Sequence, residues 1–482
     1  MGIIRLYEIC PEAEKAGVEN AVVTGVTDNT AEVKQGSIFV CVKGARFDGH
    51  SAAAEMLSKG AVMIVTDHDI KCGKQLVTDN TRLCLARLLN CFYGKPSEKL
   101  GLLAVTGTNG KTTTAHFVKH ILTTLGKKCG CVGTAGNDTY SGELKPSQHG
   151  TPTVPRATVL YSWLGEMVSN GADYCVMEAS SQALDQYRIG DERIAVAGFT
   201  NLTRDHLDYH GTMENYFQAK RRVFTMCKTA VINIDDEYGK RLAQEFSDIA
   251  VTYSAEGNAD YHAEFIRMNA TGCSYMLVNE REKTACRVDM NMTGLYNVQN
   301  SLCAIAMVTA LGFDMTECAK ALSDLDGVDG RMNVVYRGDF TVITDYAHTD
   351  DALIKVLSTL KPLTKGRLIC VFGAAGDRDK EKRPMMAKAA EDNADILVIT
   401  SDNPAHENPD EIIREVMTGI SGKKPCRCIT DRRIAYALDT ARKDDVIILC
   451  GKGHETYQII GDEYLPFSEK EIVKDIMIRK EN

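Results

Sequence analysis

The sequence lacks the features that mark membrane, secreted and nucleic-acid-binding proteins. No apolar run approaches the roughly 18 residues of a membrane span, and the first residues carry neither a signal-peptide core nor a myristoylation signal. The net charge is −9, so a general nucleic-acid binder with a basic face is not expected. The 17 cysteines form no C-x-x-C pair, which is typical of small buried residues in a reducing compartment. We therefore expect a cytoplasmic protein that uses neither nucleic acid nor a membrane.

The length and patterning indicate a globular α/β protein of several domains. The chain has 482 residues, of which 44% are hydrophobic and 25% charged, and this length favours about three domains. Strands alternate with helices, which predicts mainly parallel, doubly wound sheets. Runs of turn residues divide the chain into a small N-terminal α/β domain (1–98), a central domain (99–328) and a C-terminal Rossmann-like α/β domain (329–482).

The strongest local signal is a glycine-rich loop between a predicted strand and a predicted helix. Glycines let backbone N–H groups close around phosphates, Lys111 can reach the β/γ oxygens, and Thr112 can ligate Mg²⁺. Two residues, not the usual four, separate the two glycines. The sequence therefore predicts a P-loop and a central P-loop sheet. The loop consists of Gly107, Thr108, Asn109, Gly110, Lys111, Thr112 and Thr113.

Glu178, Lys220 and two histidines are weaker candidates for site residues when each is judged by its local sequence alone. Glu178 ends an apolar strand of the P-loop domain, from where a carboxylate can reach a nucleotide-bound metal. Lys220 lies in a predicted helix, and its spacing alone favours an ordinary solvated lysine. His206 and His210 are four residues apart, but no cysteine lies close enough to complete a structural zinc site.

The order of six motifs along nearly the whole chain resembles the Mur ligases. The motifs are the P-loop, Met177-Glu-Ala-Ser-Ser181, Thr200-Asn-Leu-Thr-Arg-Asp-His-Leu-Asp208, Gly330-Arg331, Asp345-Tyr-Ala-His348 and Gly451-Lys-Gly-His-Glu455. The resemblance implies an ATP-dependent acid–amino-acid ligase of peptidoglycan precursor synthesis. Its three domains would hold a UDP sugar, ATP and an amino acid in turn. The D-Glu carboxylate of UDP-MurNAc-L-Ala-D-Glu would be phosphorylated and then attacked by a diamino acid.

The resemblance also assigns roles to individual residues. Lys111, Glu178, His206 and Lys220 are implied to be catalytic; Thr112 and Glu178 would hold one Mg²⁺ and His206 a second. Lys220 matches a lysine that the family carbamylates with CO₂, which reverses the plainer interpretation of that residue. The nucleotide would further contact Asn300, Arg331 and Asp345. The muramoyl-dipeptide site is implied at Thr30, Ala45, Arg46, Phe47, Thr151, Pro152, Ser180, Gln186 and Arg188. The amino-acid pocket is implied at Arg378, Asp402, Asn403, Pro404, Ala405, Gly451 and Glu455.

The incoming amino acid is predicted from one loop. Family members that add meso-diaminopimelate carry Asp-Asn-Pro-Arg, whose arginine binds the distal carboxylate, whereas this chain has alanine at position 405. This favours L-lysine, with Glu455 facing its side-chain ammonium. Against it, the segment Gly376–Asp379 matches a form common in diaminopimelate enzymes. Meso-diaminopimelate therefore remains the alternative.

Departures from the family pattern keep other functions open. The usual Asp-Ser-Arg near the uridine reads Asp28-Asn29-Thr30-Ala31 here, which keeps a hydroxyl and loses a cation. A paralogous carboxylate–amine ligase with another acceptor is one alternative, and a P-loop switch without catalysis is another. A folylpolyglutamate synthetase is disfavoured because about a hundred residues precede the P-loop. We expect a monomer that acts on small molecules.

Overall fold

The computed structural model describes residues 3–44, 47–134, 136–141, 144–145, 153–435 and 441–481. The chain divides into two compact units, one of residues 1–262 with 299–318 and the other of residues 263–298 with 319–482. Among the described residues, no helix is both long and apolar enough to cross a membrane.

The N-terminal part of the first unit is a small parallel sheet of order β1-β2-β3-β4 with helices around it. Strands β2 and β3 are buried at every position, as expected of parallel strands covered on both faces. The elements are α1 (Leu6–Ile9), α2 (Glu12–Lys15), β1 (Gly25–Thr27), β2 (Ser37–Val40), α3 (Ala53–Ser58), β3 (Met63–Thr66), β4 (Gln75–Val77), α4 (Thr81–Phe92) and α5 (Pro96–Lys99).

The next part begins with the sheet that carries the P-loop. These elements are β5 (Gly101–Thr106), α6 (Lys111–Thr124), β6 (Cys129–Val132), β7 (Asn137–Asp138), β8 (Leu144–Lys145), α7 (Ala157–Ser169), β9 (Tyr174–Glu178), α8 (Ser181–Asp185), β10 (Ile194–Phe199), α9 (Leu207–His210), α10 (Met213–Arg221), β11 (Cys227–Asn233), α11 (Glu237–Glu245), β12 (Ala250–Ser254), β13 (Tyr261–Asn269), β14 (Gly272–Asn279), β15 (Thr284–Met290), α12 (Leu295–Thr309) and α13 (Met315–Ser323).

Strand β5 lies near the centre of this sheet. The order β12-β11-β10-β5-β9-β6 is parallel throughout, and β5 pairs with β10 on one side and β9 on the other. Five of the six β5 residues are buried, which explains the apolar run before the P-loop. Because β5, β9 and β10 are parallel neighbours, their carboxyl ends meet at one edge. The loops after these strands carry the P-loop, Glu178 and the segment that starts at Thr200.

The C-terminal part lies in the second unit and is built on a six-stranded sheet of order β16-β17-β21-β18-β19-β20. Strand β16 is antiparallel to β17, and the other neighbours are parallel. The elements are β16 (Asn333–Arg337), β17 (Thr341–Asp345), α14 (Asp350–Leu360), β18 (Leu368–Phe372), α15 (Lys382–Asn393), β19 (Ile396–Thr400), α16 (Pro409–Met417), β20 (Cys426–Ile429), α17 (Arg432–Ala435), β21 (Val446–Cys450), β22 (Tyr457–Ile460), β23 (Glu463–Pro466) and α18 (Glu469–Glu481).

The predicted fold class is confirmed. A small α/β sheet precedes a parallel sheet whose central strand enters the P-loop, and a mainly parallel α/β sheet follows. The boundaries at 98/99 and 328/329 stay predictions.

Candidate active site

The P-loop follows β5 and leads into α6, and its two glycines are required by close contacts. Gly107 has a φ of +148°, and a Cβ there would lie 1.9 Å from Thr200 Oγ1. Gly110 has a φ of +83°, and its Cβ would lie 2.3 Å from Asn300 Oδ1. Any larger residue would displace these neighbours and strain the backbone. The loop therefore forms a cradle of the kind that closes around phosphates.

A second segment, after β10, supports the P-loop from the side. The N–H groups of Thr108 and Asn109 donate to the backbone and side-chain oxygens of Asn201, at 2.8 and 3.0 Å. Thr200 Oγ1 donates to the Asn109 carbonyl at 2.6 Å. This segment is one of the six family motifs, but the sequence alone assigns no role to Thr200 or Asn201. The structure shows that they fix the P-loop backbone.

Thr112 and Glu178 meet at the buried end of the P-loop. Thr112 Oγ1 donates to Glu178 Oε2 at 2.8 Å, and Glu178 is only 1% exposed. The carboxylate also accepts from Thr134 N at 2.7 Å, and Thr134 Oγ1 lies 3.3 Å from Thr153 Oγ1. A hydroxyl and a carboxylate oxygen in direct contact fit Mg²⁺, a cation that prefers oxygen ligands. Neither Thr134 nor Thr153 was found from the sequence, because no P-loop rule fixes their positions.

Lys111 and Lys220 converge on one carbonyl oxygen. Lys111 Nζ donates to Gly107 O at 3.0 Å, and Lys220 Nζ donates to the same oxygen at 2.7 Å. Lys220 is 1% exposed and lies 4.6 Å from the centre of the Tyr216 ring. Burial, reinforced by the charge of Lys111, holds the pKa of Lys220 well below its usual value. Lys220 is therefore not the solvated helix lysine that its spacing alone favours.

Tyr216 links His206 to this group. The rings of His206 and Tyr216 are 6.1 Å apart in an edge-on arrangement, and the Tyr216 hydroxyl lies 3.3 Å from Thr108 Oγ1. Burial raises the pKa of Tyr216 to about 12, so the ring stays a neutral phenol. His206 itself is exposed, adopts a left-handed backbone (φ +51°), and has Asp205 Oδ2 at 3.5 Å. The structure thus brings His206 and Lys220 against one aromatic ring, that of Tyr216.

A cavity of about 460 Å³ lies beside the N-terminal sheet of the first unit. Arg188 donates to Gln186 Oε1 at 2.8 Å and to Val154 O at 2.8 Å, which fixes both side chains at the wall. Burial lowers the pKa of Arg188, and the nearby charges of Arg82 and Arg156 act in the same direction. The cavity is lined by Asp28, Asn29, Thr30, Val42, Gly44, Phe47, Arg82, Leu85, Arg156, Ala157, Gln186, Tyr187 and Arg188.

Four of the predicted dipeptide-site residues line this cavity, namely Thr30, Phe47, Gln186 and Arg188. Ser180 instead caps α8, with its Oγ accepting from Ala183 N at 3.3 Å. Ala45, Arg46, Thr151 and Pro152 lie outside the described residues. Arg82 and Arg156 were missed because they stand outside the family motifs.

In the second unit, Asp345 ends β17 and fixes the turn that carries Arg331. Its two carboxylate oxygens accept from Met332 N and Ala347 N, each at 2.8 Å. Burial raises the pKa of Asp345, although these donors and the charge of Arg331 oppose the shift. The Arg331 guanidinium lies 4.9 Å from the Tyr346 ring centre.

The predicted amino-acid pocket is assembled from three loops of the second unit. Gly376 N donates to Asn403 O at 2.9 Å, which joins the loop of Arg378 to the Asp402–Ala405 loop. Asn403 Nδ2 donates to Glu455 Oε2 at 2.9 Å. At Gly451 (φ +112°), a Cβ would lie 2.2 Å from Asp402 Oδ2.

One contact in this pocket was not foreseen. The buried Lys452 ammonium lies 2.9 Å from Glu455 Oε2 and 2.7 Å from Asn403 Oδ1. Glu455 therefore already has a cationic partner within the chain. The prediction that it faces the ammonium of the incoming amino acid stays a prediction.

Comparison with known proteins places the whole chain in one family. Three family models match consecutive segments: "Mur ligase family, catalytic domain" at residues 22–106, "Mur ligase middle domain" at 105–308, and "Mur ligase, glutamate ligase domain" at 330–453. A 2,6-diaminopimelate ligase of UDP-N-acetylmuramoyl-L-alanyl-D-glutamate from Caldanaerobacter subterraneus subsp. tengcongensis is 40% identical over 476 residues, which is 97% of each chain. This chain belongs to the Mur ligase family.

Other relatives also match this Mur ligase over nearly its whole length. The ligase of the same name from Aquifex aeolicus is 40% identical over 467 residues, or 94% of each chain. A solved structure with this name superposes with a TM-score of 0.75 at 31% identity over the full length of both chains. MurF from Thermotoga maritima, solved with ADP, has a TM-score of 0.59 at 19% identity over 94% of this chain and 97% of that one, a likeness of fold alone.

Proposed function

We propose that this Mur ligase is a UDP-N-acetylmuramoyl-tripeptide synthetase that joins a diamino acid to the D-Glu carboxylate of UDP-MurNAc-L-Ala-D-Glu. The observation that carries the proposal is the P-loop group, in which Thr112 touches Glu178 and two lysines share the Gly107 carbonyl. The names of the full-length relatives supply the substrate class. The reaction would serve peptidoglycan precursor synthesis in the cytoplasm, and we expect a monomer.

The chemistry needs an activated carboxylate, because a free carboxylate is a poor electrophile. ATP supplies the γ-phosphoryl group, which bonds to a carboxylate oxygen as ADP leaves. The amine then attacks the acyl carbon and inorganic phosphate departs. Lys111 is placed to neutralise phosphate charge, and Thr112 with Glu178 to hold Mg²⁺. Catalysis in this site rests on positioning and charge neutralisation.

Lys220 fits the proposed carbamate for a reason of its own. An amine reacts with CO₂ in its neutral form, and burial favours that form by lowering the pKa of Lys220. Carbamylation also places an anion beside Lys111, which shares the Gly107 carbonyl with Lys220. That anion would support a second Mg²⁺ near His206, in the role that the resemblance implies.

The cavity with three arginines suits the UDP part of the substrate. One guanidinium group can donate two parallel hydrogen bonds to a phosphate group. Arg82, Arg156 and Arg188 all line this cavity. They would compensate for the cation absent near Thr30. Phe47 offers an exposed aromatic face at the same cavity.

The loop around Ala405 favours L-lysine over meso-diaminopimelate. The neighbouring His406 does not replace the missing arginine, because its ring nitrogens already lie 2.7 Å from Asp377 Oδ2 and 3.2 Å from Asp462 Oδ1. Arg378 is an exposed cation of the facing loop and would bind the incoming amino acid. The names of the relatives instead favour meso-diaminopimelate, which makes it the second candidate.

Formation of ADP with defined acceptors tests the function. Turnover should require both UDP-MurNAc-L-Ala-D-Glu and a diamino acid, and it should stop with UDP-MurNAc-L-Ala, which lacks the carboxylate to be activated. ADP formation independent of the acceptor would contradict a ligase.

Competition between L-lysine and meso-diaminopimelate at equal concentration tests the amino acid. Ala405→Arg should shift selectivity towards diaminopimelate by about 10- to 150-fold, because a charge-assisted pair contributes about 1.5–3 kcal/mol. Ala405→Met is the matched control, since it adds length without charge. A diaminopimelate preference above about tenfold in the unmodified enzyme would overturn the lysine assignment. The fold-changes above convert free energy to selectivity at about 1.36 kcal/mol for each factor of ten.

A further inference from the structure

Three potential metal ligands cluster at the surface of the N-terminal sheet, outside every site described above. His50, Asp67 and His68 each offer one ligand atom, and these atoms all lie within 4.8 Å of one another. His50 Nε2 is 3.1 Å from Asp67 Oδ1, and His68 Nδ1 is 2.5 Å from the same oxygen. The two imidazole rings stack with their centres 4.9 Å apart.

The orientation of His50 is fixed by a second carboxylate. His50 Nδ1 lies 2.6 Å from Asp48 Oδ1, so Nδ1 carries the proton and donates to that oxygen. The other nitrogen, Nε2, faces Asp67, with Asp67 Oδ1 at 3.1 Å and the Asp67 N–H at 3.5 Å. A carboxylate behind a histidine in this manner orients metal-binding imidazoles and increases their basicity.

When His50 is neutral with its proton on Nδ1, the lone pair of Nε2 faces Asp67 Oδ1. Both are acceptors, so a cation between them removes the repulsion. Two imidazole nitrogens and one carboxylate oxygen are ligands typical of Zn²⁺, with bonds of about 2.0–2.2 Å. We propose that His50, Asp67 and His68 form a binding site for a divalent transition-metal ion of the Zn²⁺ type, with water in the fourth position.

The backbone holds two of the ligands and leaves the third adjustable. His50 lies in a short 3₁₀ helix, Gly49–Ala52, whose first turn Asp48 caps by accepting from His50 N at 3.1 Å. Asp67 directly follows the buried strand β3. The His50 side chain is 9% exposed and that of His68 is 62% exposed, so His68 can rotate to complete the coordination.

The position suggests what a bound ion does. Asp48 pairs with Lys43 across an isolated bridge, and the loop between them contributes Gly44 and Phe47 to the cavity beside the sheet. An ion at the cluster would tie this loop to the end of β3. Metal binding at this cluster does not depend on the proposed ligase activity. Its structural effect would extend to the loop that lines the cavity.

Calorimetric titration of Zn²⁺ into the metal-free full-length protein, with Mg²⁺ in excess, tests the site. The unmodified protein should bind one equivalent of Zn²⁺ at this site. His68→Gln and Asp67→Asn should each lower the affinity for that equivalent at least about tenfold. His406→Gln is the matched control, since His406 is an exposed histidine between two aspartates with no second histidine within ligand distance among the described residues. All these proteins keep the same 17 cysteines, so thiol binding cancels in the comparison.

The spectrum of bound Co²⁺ gives a second measurement. Its visible absorption should show histidine and oxygen ligation in the unmodified protein and should disappear in His68→Gln. Circular dichroism checks that the variants fold. Equal Zn²⁺ affinity in the unmodified protein and His68→Gln would overturn the site. It would indicate instead that Zn²⁺ binds at groups that both proteins share.

Discussion

Replacing Thr112 with valine removes one hydroxyl from the P-loop and keeps the β-branched shape of the side chain. In the folded protein this hydroxyl donates to Glu178 Oε2 at 2.8 Å, and both residues are buried. The substitution therefore tests one hydrogen bond and one proposed Mg²⁺ ligand together. Stability and ATP turnover separate the two effects, because only turnover depends on the metal.

The magnitude follows from the partners of Glu178. A hydrogen bond to a charged group contributes about 1.5–3 kcal/mol, but Glu178 keeps its bond from Thr134 N in the variant. We therefore expect a loss of about 1.5 kcal/mol in the free energy of unfolding. With an unfolding entropy of about 2.1 cal/mol/K per residue, this loss lowers the Tm of a 482-residue protein by roughly 1.5 °C. Loss of the metal contact should reduce kcat/KM for ATP by about 10²–10³-fold.

Thr123→Val in the same helix is the matched control. Thr123 Oγ1 also makes one hydrogen bond, to Lys119 O at 2.8 Å, but on an exposed face. This variant should stay within about 0.5 kcal/mol of the unmodified protein and should turn over ATP normally. Differential scanning calorimetry and coupled ADP release measure the two quantities. Unchanged turnover in Thr112→Val would refute the metal role, and an unchanged Tm would refute the buried hydrogen bond.

Three further experiments, on Lys220, Gly110 and Glu192, test the site and its surroundings. Lys220→Arg should lower the rate of ligation at least about 100-fold, because a guanidinium forms no carbamate. Acetate should partly restore the activity of Lys220→Ala. An active Lys220→Arg enzyme would exclude the carbamate. Gly110→Ala should raise KM for ATP about tenfold, because the new Cβ meets Asn300 Oδ1. Gly126→Ala, with a similar φ but no atom within 4 Å, controls for backbone strain, and equal KM values would contradict the contact. Glu192→Gln should remove a pH dependence of the free energy of unfolding. Burial raises the pKa of Glu192 above its usual 4.5, so the protonated form of Glu192 stabilises the fold at low pH. This contribution is lost as the pH rises through the folded-state pKa. Thermal unfolding at about pH 5 and pH 8 measures this, and equal slopes in both proteins would contradict it.

The P-loop could be predicted because its physical requirements are local. A buried strand, a glycine turn, a lysine and a hydroxyl follow one another within about a dozen residues, and each constraint is visible in the sequence. The order of the six motifs extended the same logic to the whole chain. The position of Glu178 at a strand end also followed from the sequence, because β9 is an apolar run that stops there.

The shared carbonyl of the two lysines could not be predicted, since it joins residues 113 positions apart. Spacing alone favours a solvated Lys220, and only the fold, which brings α10 to the Gly107 carbonyl, shows that the side chain is buried. The supporting roles of Thr200 and Asn201 depend in the same way on β10 pairing with β5 in register.

The sequence by itself determined which chemistry-bearing residues this Mur ligase carries and which strands and helices present them. Only the tertiary structure decided their electrostatic state. Lys220 has a depressed pKa because the fold excludes water from it, and Glu455 is paired because Lys452 is buried beside it. Burial and charge proximity arise from contacts between distant segments, and no local pattern encodes them.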